Sequence, residues 1–177
     1  MRKISALVIV VLIFSCNNYK EGKNETLEVL VKPNSIEWVT WESLSNEDKV
    51  ELATFWKDFQ KRLSDNNKDG VTDFIQFPLD GEWAFVLEVK KSEQDLTKED
   101  FKNAYSEVFG EMVRNQILEQ SIESLSFQKN NLDNSIISFQ IGASLNTDTD
   151  EFESSARLFN FCKTKEGYKL CCIFHVG

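Results

Sequence analysis

Histidine, structure-breaking residues and clustered basic charge are what this 177-residue chain has least of. One His and four scattered Cys exclude multi-histidine metal centres and zinc ribbons, which need several donors at short spacing. Two Pro and seven Gly exclude a linker-rich or collagen-like chain. Lys and Arg number 20 against 29 Asp and Glu, a formal charge of −9, and no basic cluster occurs. Neutralising phosphates needs grouped cations, so nucleic acid is excluded as a partner class. What is present is 41% apolar residues, with 14 Phe and four Trp, enough bulk to build the core of one ordinary domain.

The one long apolar run is at the start. Residues 1–16 read MRKISALVIVVLIFSC. Arg2 and Lys3 precede a run from Leu7 to Phe14 that has signal-peptide length and is short for a permanent span. Ile13, Phe14 and Ser15 ahead of Cys16 resemble the lipobox of bacterial lipoproteins. The resemblance implies diacylglyceryl transfer to the Cys16 thiol, cleavage after Ser15 and acylation of the new amino terminus. Several acyl chains anchor stably where one does not. The expected place is the bacterial cell envelope, lipid-anchored at Cys16, with the outer membrane preferred because Asn17, not Asp, follows the cysteine. Residues 1–15 thus read as a signal peptide, 16–40 as lipidated Cys and polar tether, and 41–177 as the folded domain.

Within that domain, Ser45 followed by Asp48 is a capping-box start. Leu52, Phe55, Trp56, Phe59 and Leu63 then recur at helical spacing. Phe74 to Leu79 reads as a helix end running into a strand. Asp80-Gly81 reads as a hairpin turn into an alternating strand from Trp83 to Val89. Thr97 and Asp100 form a second capping box ahead of Phe101, Tyr105, Val108 and Met112, and Gly110 interrupts that helix before Ile117 and Leu118. From about residue 123 strand patterns take over, separated by Asn130-Asn131, Asn146-Thr147-Asp148 and Lys165-Glu166-Gly167. Helix, strand pair, helix and a meander of about four strands predict an α+β fold, a helical layer on a curved antiparallel sheet.

This order, with Phe55, Phe59 and Leu63 on one helix, the turn Asn67-Lys68-Asp69, the run Phe74-Ile75-x-Phe77-Pro78-Leu79, the segment Leu96-Thr97-x2-Asp100-Phe101-x3-Tyr105-x3-Phe109 and the terminal hairpin RLFNFCKTKEGYKLCCI, resembles the nuclear transport factor 2-like superfamily. The resemblance covers roughly residues 45–176. It implies a cone-like sheet packed on the N-terminal and middle helices, with a pocket at the open end. Enzymatic members place an Asp/His or Asp/Tyr pair inside the cone; here His175 is the only His, at the end of the last strand, so no catalytic residue carries over.

Three constellations carry candidate chemistry. Asp65, Asn67, Asp69 and Asp73 match the spacing of calcium loops, alternating oxygens with a Gly turn at Gly70 that can wrap a hard cation. The competing reading makes Asn67 a helix cap and puts Asp69 in a first turn, where negative charge is favoured. Cys162, Cys171 and Cys172 fall on the two terminal strands. A simple hairpin register puts Cys162 opposite Lys169 or Leu170 and sends Cys171 and Cys172 to opposite faces, so small strand residues are preferred to a bridge. Trp38, Trp41, Trp56 and Trp83 read as core, with an apolar-ligand pocket as the alternative. Asp148 to Glu153 reads as a solvated acidic loop.

The function expected from this is an envelope lipoprotein with a non-catalytic binding module, held at the membrane through lipid on Cys16 and taking a small apolar ligand or an envelope protein. The rivals are an enzyme using His175 or a Tyr (Tyr105 or Tyr168) with an acid, and an interaction protein whose acidic surface docks a basic partner.

Overall fold

The computed structural model describes residues 36–81, 96–145 and 155–176. The signal segment, Cys16, the anticipated strand Trp83–Val89 and the acidic loop 148–153 lie outside the described residues. The order is β1 (Ile36–Thr40), α1 (Asn46–Ser64), α2 (Lys68–Thr72), β2 (Ile75–Gly81), α3 (Lys98–Val108), α4 (Glu111–Glu119), β3 (Ser126–Asn130), β4 (Ile136–Ser144), β5 (Ala156–Thr164) and β6 (Gly167–Val176), with short 3-10 turns at Trp41–Ser43 and Ile122–Ser124.

Helices α1, α2 and α3 begin where side chains satisfy their first open amides. Ser45 Oγ accepts from the Asp48 amide at 3.1 Å. Thr97 and Asp100 bond reciprocally, side chain to backbone, at 3.2 and 3.3 Å. Each such cap contributes about 1 kcal/mol. Gly110 ends one helix and caps the next, since α3 stops at Val108 and α4 starts at Glu111. Helix α1 buries Leu52, Trp56, Phe59 and Leu63, and α3 buries Phe101, Ala104, Tyr105 and Val108. Side chains lock the helices to one another and to the sheet. Gln60 Nε2 donates to the Ile117 and Gln120 carbonyls, Trp56 Nε1 donates to Gln120 O at 3.0 Å, and Gln116 exchanges two bonds with the Ser144 backbone.

The fold is α+β, with one six-stranded sheet ordered β1-β3-β4-β5-β6-β2. Four pairings are antiparallel, but β2 runs parallel to β6, Ile75 opposite Leu170 and Gly81 opposite Ile173. The sheet is therefore mixed and open, which corrects the all-antiparallel expectation. Asp80 and Gly81 continue β2 instead of turning a hairpin, and Leu79 is bridged to Leu96 by two 3.0 Å bonds. The physical reason is long-range: the meander leaves one side of β6 unpaired, and the α1–α2 turn delivers β2 there, with Leu170 N donating to Phe74 O at 2.7 Å. Residues 36–40, read as tether, are strand β1 paired to β3.

The core lies between the helices and one face of the sheet, and it is phenylalanine. Phe59, Phe101, Phe109, Phe127, Phe139, Phe159 and Phe161 are fully buried. Phe139 stacks on Phe161 at 5.0 Å and Phe109 on Phe159 at 5.3 Å, while Phe59 meets Phe161 edge-on at 5.2 Å. Each ring contributes about 2–3 kcal/mol through burial, and each favourable ring pair about 1 kcal/mol more. These aromatic side chains pack against one another between the helices and the sheet.

Candidate functional site

An open groove of about 360 Å³ runs between α1 and the β5–β6 turn. One wall is a single face of α1: Glu51, Phe55 and Asp58 at i, i+4 and i+7, which helical geometry stacks one above the other. The facing wall is Glu166, Gly167, Tyr168 and Lys169, and Asp73 and Phe74 close one end. The floor is aromatic. Phe55 and Phe74 are half-buried and meet edge-on at 5.6 Å, and Tyr168 lies 5.7 Å from Phe55. These rings extend the core cluster to the surface, so the groove is one place where the phenylalanine core reaches solvent.

Its rim is acidic. Four carboxylates and one lysine line it. Lys163 pairs with Glu51 and holds its ammonium 4.7 Å over the Tyr168 ring. Lys169 donates to Asp73 O at 2.6 Å and lies 3.7 Å from Glu166. Asp58 is exposed and has no ion pair among the described residues. Tyr168 is 3% exposed, and its hydroxyl has no hydrogen-bond partner among the described residues. Burial first, then the negative charges of Glu51 and Asp48, push that hydroxyl well above the ordinary tyrosine range.

The four residues with calcium-loop spacing are not brought together. Asp65 pairs with Lys61 at 2.7 Å, Asp69 with Lys102, and Asp73 lies 3.7 Å from Lys98. Asn67 Oδ1 accepts from the Gly70 amide at 2.9 Å and caps α2. The helix turns the alternating oxygens away from one another, because successive residues on a helix diverge where those of an extended loop converge. The Lys102 ammonium holds the Asp69 carboxyl below the usual carboxylate range. Among the described residues no group of three or more His, Cys, Asp or Glu could hold a metal ion.

The cysteine expectation is corrected by a bulge. Phe161 pairs with Leu170 but Asn160 pairs with Cys172, leaving Cys171 as the extra residue. Cys162 does stand opposite Lys169. The bulge nevertheless swings Cys171 toward it, and the two are disulfide-bonded with Cα atoms 5.8 Å apart. Cys171 and Cys172 share a side instead of pointing to opposite faces: Asn160 Nδ2 lies 3.7, 3.6 and 3.7 Å from the sulfurs of Cys162, Cys171 and Cys172.

His175 pairs in register with Arg157, which is buried and donates to the Glu107 and Val108 carbonyls at the end of α3. Desolvation lowers the Arg157 pKa. His175 stands seven residues along β6 from Tyr168, roughly 20 Å away, so the only His is not part of the groove. Tyr105 is buried beside Phe101 and Phe109, and burial raises its pKa. Of the tryptophans, Trp56 is core, Trp41 half-buried and Trp38 46% exposed on β1; none lines the groove, and Trp83 is outside the described residues.

Nothing in the sequence motifs marks Glu51, Asp58 and Glu166 as groove residues. A signal existed: Phe55 sits at the margin of the α1 apolar stripe and is flanked on its own face by two acids. No helix among the described residues is long and apolar enough to cross a membrane. Searches of protein families, curated proteins and solved structures find no match to this chain.

Proposed function

We propose that the protein is an envelope lipoprotein, moored through lipid on Cys16, whose folded part is a non-catalytic binding module. The sequence carries the anchoring half of this reading: Arg2-Lys3, the Leu7–Phe14 run and Ser15-Cys16 form a lipoprotein signal pattern. The groove between α1 and the β5–β6 turn carries the binding half. A core otherwise filled by its own rings leaves Phe55 and Phe74 half-open to solvent there, and apolar floors with a polar rim are how small-molecule sites are built. The element order supports a nuclear transport factor 2-like ancestry, with the binding surface beside the filled sheet instead of deep within a cone.

The test is a fragment screen on the isotope-labelled chain, followed through backbone amide shifts. Binders are expected to move Phe55, Phe74 and Gly167 to Lys169 together. Saturable shifts that cluster elsewhere and spare these amides would refute the groove as the binding site.

A further inference from the structure

We infer that the groove takes a small organic cation, a protonated amine on a short alkyl stem, with Asp58 as its carboxylate anchor. The inference rests on the groove being the binding site and adds the class of ligand. Three observations carry it.

The first is the pairing of aromatic floor and acidic rim. Phe55 and Phe74 present ring surface, with the buried Tyr168 ring beside Phe55, within a wall that holds four carboxylates. Ring faces attract ammonium groups within about 6 Å, and the same faces cover an alkyl stem. An anionic ligand would meet repulsion from the rim, and a purely apolar one would leave Asp58 desolvated without recompense.

The second is that the chain itself displays this binding mode. Lys163 is an alkylammonium whose nitrogen lies 4.7 Å over the Tyr168 ring and pairs with Glu51. On the same face of α1, two turns along from Glu51 and three residues after Phe55, Asp58 lines the same groove but has no ammonium among the described residues. Glu51, Asp73 and Glu166 each already have a lysine within 4 Å, so Asp58 is the carboxylate left to engage a ligand.

The third is Tyr168. Its hydroxyl is buried, belongs to a residue lining the groove and has no hydrogen-bond partner among the described residues. A buried polar group left unmatched is costly; the hydroxyl is closed to solvent in the empty groove, and a shift of the Tyr168 side chain toward a bound ammonium would let it accept an N–H. The size agrees as well: about 360 Å³ is near the lower end for small-molecule sites, room for one short amine.

The experiment titrates the isotope-labelled full chain with n-butylammonium and, separately, with 1-butanol, its neutral counterpart. Butylammonium is expected to give saturable shifts at the Phe55, Phe74 and Tyr168 amides, with butanol about fivefold weaker. In Asp58→Asn, an exposed position that leaves the fold intact, butylammonium is expected to weaken about fivefold, to the level of butanol. Equal binding of the two probes, unchanged by Asp58→Asn, would overturn the cation assignment and leave the groove as an apolar site. Shifts at these amides with neither probe nor a lysine-rich peptide would overturn the groove reading too. Binding of a lysine-rich peptide without butylammonium would replace the small amine by a basic protein segment and so refute the inference.

Discussion

Tyr168 shows how one residue can carry opposite consequences for stability and for binding. Its hydroxyl is buried without a partner among the described residues, a costly arrangement in the folded state. Tyr168→Phe is therefore expected to raise stability at neutral pH by about 1 kcal/mol while weakening amine binding. The pH dependence has a definite sign. The folded pKa is raised above the unfolded value, so the unfolded chain releases the proton first. The contribution from this site is intact below about pH 10 and is lost as pH rises above it, by about 1.4 kcal/mol per pH unit. Urea unfolding of both chains at pH 8 and pH 11 checks this: the parent should lose more stability than Tyr168→Phe across the interval, and parallel losses would contradict the shift. Gly70 makes a related point about reading residues. In the sequence it fits both the Gly of a calcium loop and part of a capped turn. In the structure a Cβ there would come within 2.6 Å of the Asn67 side chain, so the glycine serves the close approach of a helix cap. Which reading holds depends on the neighbours that Asp65, Asp69 and Asp73 acquire from α1 and α3, and spacing alone does not encode those lysines.

At the scale of elements, local chemistry was legible and register was not. The caps at Ser45 and Thr97 and the break at Gly110 are short-range effects involving residues three or four apart, and the structure has each where the pattern puts it. The α1 stripe is also where the periodicity expects it, although Phe55 at its margin is half-open. The β5–β6 hairpin follows its turn at Lys165-Glu166-Gly167, and the pairing Cys162 to Lys169 is the one a simple register implies. One extra residue beyond that point changes everything downstream, because a slip of one position moves side chains to the other face. That slip brings Cys171 to Cys162. The bridge closes a short loop of nine-residue separation, for which chain-entropy arguments give about 2–3 kcal/mol. Reduction is accordingly expected to lower the unfolding free energy by that amount, read as a lower urea midpoint, and peptide mapping without reductant should recover Cys162 joined to Cys171. A bridge from Cys162 to Cys172 instead would show the bulge to be misplaced.

For the molecule as a whole, the decisive claim is that an acidic, phenylalanine-cored domain is worked from a lipid anchor. Labelled palmitate is expected to enter the parent chain and not Cys16→Ala when each is produced in a bacterial host; equal labelling would sink the anchoring proposal. On that proposal the domain would present its groove in an aqueous compartment, where its net acidic charge repels anions and concentrates cations by an amount that salt screens. This long-range field and the local Asp58 site act in the same direction, so the amine affinity should follow both.

Composition, periodicity and capping residues were enough, by themselves, to establish an α+β domain, its helices and its terminal hairpin. Those properties arise from residues within one or two turns of each other. Only tertiary structure decided that β2 joins β6 in parallel, that the core fills with its own rings, and that Glu51, Phe55, Asp58 and Tyr168 share one groove. Those outcomes depend on which distant surfaces meet: β2 and β6 lie about ninety residues apart, and no local pattern of side chains specifies a pairing over that distance.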